Sequence, residues 1–315
     1  MKEIKMKRFA RYCHSIIFLA FVQVLFPHLK ARAQEMPKEY KEVLEYLDKK
    51  GDFKDNVLKV NIPRNDLRVS VAGIETPTPF GFGGWLGMTK SDQDMEVMMG
   101  DLVLLQEEVN PVMSALLDND LEVTALHNHF FWDEPRLYYM HIHGHGNAID
   151  LAHKVKPAIA LIGHVVSIKN ESGKMIGTSP GSGNLNTAKL SEIIGFKGDQ
   201  MGAVYKITVG RNDLILKEMG AVINARMGLN TWAAFIGTDE KAAVAGDVAM
   251  LEEEVTPVLK ALRNKGLEVV AIHHHMTGSR PMIIFLHYWG TGPADTLAAG
   301  VRAALNELGK GSAPH

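Results

Sequence analysis

The chain contains one pattern written twice. Arg64-Asn65-Asp66-Leu67 returns 147 residues later as Arg211-Asn212-Asp213-Leu214, and Trp85 returns as Trp232 at the same offset. One residue is then lost and the offset becomes 146. Gly100-Asp101 matches Gly246-Asp247, and Glu107-Glu108-Val109-Asn110-Pro111-Val112 matches Glu253-Glu254-Val255-Thr256-Pro257-Val258. Leu121-Glu122-Val123 matches Leu267-Glu268-Val269, and His127-Asn128-His129 matches His273-His274-His275. His141 matches His287, with Gly144 and Gly146 against Gly290 and Gly292. A constant offset over about 80 residues marks a duplicated domain, so one fold must serve both halves.

Each copy reads as a short amphipathic helix (40–49; 187–195) followed by a strand (57–62; 204–209). A strand around the tryptophan and another at 95–105 or 242–251 come next. A helix at 107–117 or 253–263 has an acidic start suited to the positive end of its dipole. Pro111 and Pro257 are expected near its first turn, where a missing N–H costs little. A strand pair (121–130 with 136–143; 267–276 with 281–288) and a closing helix complete the copy. This order predicts an α+β fold: two tandem copies of one domain, each an antiparallel sheet with helices on one face. A ferredoxin-like arrangement is one candidate. The expected boundaries are a first repeat at 34–163, a Gly/Ser/Pro-rich linker at 164–186 and a second repeat at 187–315.

Residues 1–33 read as a secretory signal peptide. Lys2, Lys5, Lys7, Arg8 and Arg11 precede the apolar run 16–26, which ends near Ala31-Arg32-Ala33. The chain is expected in the periplasm or outside the cell. Its single cysteine, Cys13, lies in that segment, which removes thiol chemistry, cysteine-held metals and a lipid anchor at the cleavage point from the expected mature protein. Of 34 basic and 36 acidic residues, seven and one lie before position 34, leaving a formal charge of −8. That balance opposes nucleic-acid binding, which requires clustered basic residues. No later stretch is apolar enough to span a membrane. The sequence leaves the oligomeric state open.

The chemistry concentrates in the histidines. His127 and His129 stand two apart on a predicted strand, so alternation puts both on one face. With His141 opposite His127 and Tyr139 opposite His129 on the next strand, three imidazoles line one patch. His273, His275 and His287 repeat it. Such a patch suits a divalent transition metal such as zinc or copper, with iron and nickel also compatible, and an open coordination position could activate water. It equally suits a small ligand, or histidines that merely hydrogen-bond across a hairpin. Glu108 and Glu254 are the candidate acidic partners, as base or ligand, against a plain helix-start role. Asp101 and Asp247, each after glycine, read as turn or cap residues. Arg64 and Arg211 read as surface charges in turns. Trp85 and Trp232 read as core residues or a pocket floor, and 79–84 as a mobile glycine-rich loop. No serine elbow, HExxH or dinucleotide fingerprint is present.

The Gly-Asp pair, the Glu-Glu-Val-x-Pro-Val run and above all Thr124-Ala125-Leu126-His127-Asn128-His129 resemble the LppY/LpqO family of exported bacterial proteins, a domain of unknown function. The resemblance covers both copies. It departs at His274, where the usual asparagine is replaced. It implies export and a duplicated fold, and no activity. Three functions therefore compete: binding of a metal or small ligand, a metal-dependent hydrolase with a glutamate base, and a structural module without metal.

Overall fold

The computed structural model describes residues 34–163 and 183–310. The expected signal segment, and the linker up to residue 182, lie outside the described residues. The first repeat runs α1 (Lys38–Leu47), β1 (Gly51–Lys54), β2 (Val57–Pro63), β3 (Val69–Val71), β4 (Ile74–Thr76), β5 (Gly83–Lys90) and β6 (Glu96–Leu105). It continues with α2 (Gln106–Leu117), β7 (Glu122–His127), β8 (Asp133–Glu134), β9 (Leu137–Gly146) and α3 (Ala148–Ile159). The second runs α4 (Thr187–Ile194), β10 (Gly198–Met201), β11 (Val204–Gly210), β12 (Leu216–Glu218), β13 (Ala221–Ile223) and β14 (Asn230–Gly237). It closes with β15 (Ala242–Met250), α5 (Glu252–Asn264), β16 (Glu268–His273), β17 (Ile284–Gly292) and α6 (Ala294–Leu305).

Each repeat builds one six-stranded antiparallel sheet, β1-β2-β5-β6-β9-β7 and β10-β11-β14-β15-β17-β16. The run β6-α2-β7-β9-α3 is a split βαβ unit with β9 between β6 and β7. In a ferredoxin-like sheet a fourth strand would follow the second helix and pair with the first. Here β5, which precedes the unit, takes that edge. The fold is therefore the expected α+β arrangement with its fourth strand supplied from the N-terminal side.

Strand alternation makes each sheet two-sided. One side of the first sheet presents Leu58, Val60, Leu86, Met98, Leu102, Met140 and Ile142 to Val43, Val112, Leu116, Leu151 and Val155 of the helices. Tyr205, Ile207, Phe235, Val244 and Leu286 do the same in the second. The other sides pack against each other. Phe80, Phe82, Val103, Leu137 and Tyr139 meet Ala234, Ala243, Ala245 and Trp289. Val57, Val97 and Met99 meet Met227, Ala249, Ile283 and Phe285. The layers are helix, sheet, sheet, helix. Gly246 permits the tight strand packing: a Cβ there would lie 2.2 Å from the Tyr288 ring and 2.4 Å from the Trp232 carbonyl.

Four expectations need correction. Pro111 and Pro257 sit further into α2 and α5 than the first turn. The hairpin register is shifted: β7 pairs His127 with Tyr139 and Ala125 with His141, with an irregularity between Val123 and Ala125. β7 stops at His127, and His129 lies in the following segment, tied down by Asn128 Nδ2 donating to the Leu137 carbonyl at 2.6 Å. From Ala125 to His127 the shift is by two residues, so those side chains keep their faces; beyond the irregularity, at Val123 and Glu122, it is three. Asp101 and Asp247 lie mid-strand in β6 and β15, opposite His141 and His287, and not in turns. Arg64 and Arg211 are buried, for the reason given below.

Candidate functional site: a shared histidine cluster and its cavity

His141 and His287 point inward from β9 and β17, and β7 and β16 end at His127 and His273. Because the two inner faces pack together, the histidine patches of the repeats meet. His127 stacks on His273 with ring centroids 3.7 Å apart. His129 lies 3.6 Å from His287, and His275 lies 3.8 Å from His141, a reciprocal pair. The outer faces of the cluster are covered alike, His129 by Tyr139 at 3.2 Å and His275 by Phe285 at 3.4 Å. The six expected histidines thus form one group around an approximate two-fold relation. Thr124 Oγ1 donates to the His275 carbonyl at 2.6 Å and ties the repeats beside it.

The rings are held as neutral imidazoles, four of them buried and His127 and His273 half-buried. Burial pushes His127 down to about 2 and His273 to about 4. Burial, then neighbouring histidines, pushes His129, His141, His275 and His287 well below the usual imidazole range. His287 Nδ1 faces the Gly246 carbonyl at 3.4 Å, and His141 bonds the equivalent Gly100 backbone. A ring nitrogen facing a carbonyl must carry the proton, which leaves Nε2 with its lone pair turned to the cluster. His127 Nε2 lies 3.2 Å from His287 Nε2. Five of the six rings hold a buried nitrogen without a hydrogen-bond partner among the described residues: His127, His129, His141, His273 and His275. Orphaned buried acceptors are costly, and a bound cation is one way to satisfy them. His127, His273 and His287 bring ligand nitrogens within 4.8 Å of one another, as do His141, His273 and His275.

Beside the cluster opens a cavity of about 1020 Å³, reached by His129, His275 and His287. Three equivalent pairs from the two repeats are among its other lining residues, Lys59 and Lys206, Trp85 and Trp232, Asp101 and Asp247; Asp48, Lys49, Lys50 and Asp52 of the first repeat line it without counterparts. Trp85 and Trp232 are therefore pocket walls. The segment 79–84 runs from the end of a 3-10 turn (Thr78–Phe80) into the first residues of β5, and Pro79, Gly81, Gly83 and Gly84 of it line the cavity. Lys59 Nζ lies 3.2 Å above the Trp85 ring, and Lys206 Nζ 4.1 Å above that of Trp232. Burial lowers Lys59 to about 7 and Lys206 to about 8. Burial raises Asp101 to about 7 and, with Asp101 nearby, holds Asp247 well above the carboxylate range. The lysines and this role of the aspartates are absent from the sequence reading. One signal was available: a lysine repeats at the offset of 147 inside two largely apolar strands.

Glu108 and Glu254 do not reach this cavity. Glu108 receives Arg64 Nη1 at 2.5 Å and Nη2 at 3.2 Å, the Leu105 N–H at 2.7 Å and the Gly163 N–H at 2.8 Å. Glu254 holds Arg211, Leu251 N–H and Gly309 N–H in the same way. Each closes the start of its helix and neutralises a buried arginine. His143 faces Glu218 of the other repeat at 3.9 Å, also outside the cavity lining.

A duplicated α+β unit whose copies share a histidine-lined cavity is the class of protein these features define. The family described as Domain of Unknown Function (DUF1259) matches the chain twice, over residues 41–161 and 188–307, and the chain belongs to it. A search of curated proteins finds no match. Among solved structures, the trimeric bacterial microcompartment shell protein PduB is similar at 11% identity over 81% of this chain and 89% of that chain, with a TM-score of 0.21. EtuB from Clostridium kluyveri is similar at 8% identity over 82% and 90%, with a TM-score of 0.20. Similarity at that level carries no argument about function or assembly.

Proposed function

We propose that this is an exported binding protein that holds one divalent transition metal, zinc or copper, in the histidine cluster between its repeats. The observation that carries the reading is the pair of ligand trios, His127-His273-His287 and His141-His273-His275, built from neutral rings, of which His141, His275 and His287 are buried and His127 and His273 half-buried. A tetrahedral zinc separates imidazole nitrogens by about 3.3 Å, so each trio needs only a modest contraction. Both trios use His273, whose ring gives one nitrogen to one ion at a time, so they are overlapping descriptions of one centre. His129 belongs to neither trio and serves as a flanking ring. The hydrolase alternative lacks support at Glu108 and Glu254, whose carboxylates are bound to arginine. The Leu-Glu-Val-x-Ala-x-His-x-His runs support a narrower placement near the LppY/LpqO proteins.

Elemental mass spectrometry of untagged mature protein is expected to find about one metal per chain. His273→Ala should abolish binding. His127→Ala and His141→Ala should each weaken it and leave the other trio. No metal in the wild type after incubation with zinc or copper would sink the proposal. Export has its own check: N-terminal sequencing of the protein from its producing cell should begin at Gln34, and a chain retaining Met1 overturns the signal-peptide reading.

A further inference from the structure

We propose that the cavity beside the histidines is a separate binding site for a small hydroxylated carboxylate, whose carboxyl group is held between Lys59 and Lys206. Both lysines project from the middle of inner strands, β2 and β11, into a space of about 1020 Å³. Among the described residues neither forms an ion pair. Lys59 Nζ makes one hydrogen bond, to the Arg226 carbonyl at 3.1 Å. Lys206 Nζ lies 4.1 Å above the Trp232 ring. An ammonium has three donors, and a deeply set one lacking acceptors is expensive. Two such groups from equivalent positions, both within electrostatic reach of Asp101, converge on one region. Arg226 also lines the cavity, but its Nη2 is paired with Asp52, so it adds only its buried Nε, which has no partner among the described residues.

The remaining lining selects the body of the ligand. Trp85 and Trp232 give apolar walls, which an inorganic ion would not use. Asp101 and Asp247 each keep one buried carboxylate oxygen, Oδ1, without a hydrogen-bond partner. Those carboxyl groups are placed to exchange hydrogen bonds with ligand hydroxyls, as acceptors when ionised and as donors when protonated. An organic acid carrying hydroxyl groups satisfies lysines, aspartates and indoles together, and the volume suits a small molecule. His275 and His287 of the ligand trios border this cavity, but the lysines, tryptophans and aspartates that would hold the ligand belong to neither trio, so the site can be tested with and without metal.

Isothermal titration calorimetry with gluconate, citrate, benzoate and phosphate tests this on wild type, Lys59→Met, Lys206→Met and metal-stripped protein. Gluconate or citrate is expected to bind saturably, and each lysine variant to weaken binding about tenfold or more. Lys→Arg at either position should restore part of it, and near-UV circular dichroism should show an unchanged fold. Benzoate, without hydroxyls, should bind more weakly. Binding that survives metal stripping supports the inference whatever the metal analysis of the same samples gives. Phosphate binding as tightly as the organic acids would replace it by an inorganic anion site and overturn it. So would the absence of binding by every probe, or affinities unchanged in the lysine variants.

Discussion

Arg64→Met is expected to lower the unfolding free energy by about 3–5 kcal/mol, one of the largest single effects in the molecule. Arg64 is 2% exposed and Glu108 fully buried, and the two are joined by paired hydrogen bonds. The guanidinium also donates to the Val103 carbonyl at 2.8 Å and to Asp66 at 2.8 Å. Removing it strands a carboxylate that cannot leave, because that carboxylate holds the N–H groups of Leu105 and Gly163. Glu108→Gln should cost less, about 1–2 kcal/mol, since Arg64 keeps Asp66 and the amide oxygen still accepts N–H groups. Arg211→Met should repeat the large effect through Glu254 and Asp213. Urea denaturation of the single variants checks the order. A loss under about 1 kcal/mol for both arginine variants would refute the ion-pair account.

The metal-free protein is expected to be acid-labile well above the range where carboxylates titrate. Seven histidines are pushed down by burial: the six of the cluster and His143, which falls to about 4. Below the usual value of 6.5 the unfolded chain protonates them while the folded chain does not. The unfolded state then binds more protons, so stability is held above that value and lost as pH falls toward 4. Asp101 and Asp247 oppose this, because the folded chain keeps protons there that the unfolded chain releases. Glu96, Asp133 and Glu218 are also raised and act in the same opposing direction. A net difference of roughly two to five protons gives about 3–7 kcal/mol per pH unit. Urea midpoints in chelator at about pH 7, 6 and 5 should fall steeply. A flat profile would mean the rings are charged or solvated in the folded state.

The duplication, the sheet-and-helix layering and the six histidines were legible in the sequence because each depends on local periodicity or on self-comparison. What was not legible depends on which faces pack together. His127 and His273 are 146 residues apart, and nothing local says that their rings stack. The register of β7 escaped because the strand ends at His127 and the long connection to β9 sets the pairing two residues away from the one alternation suggests, and the irregularity between Val123 and Ala125 moves it once more. Asp101 was misread because glycine usually signals a turn. Gly100 and Gly246 instead make room for neighbouring strands, Gly100 for Leu86 and Ile142. Arg64 was misread because Arg-Asn-Asp looks solvent-facing until Glu108 arrives from a helix 44 residues on.

The contribution of rings from both repeats to one cluster has a consequence for dilution. Two separate single-repeat chains could assemble the same arrangement, but they would part, and release whatever they hold, as their concentration fell. Joined in one chain, each repeat meets the other at an effective concentration on the order of millimolar, independent of how much protein is present. The centre assembles by first-order folding, and its occupancy is governed by the free ligand alone.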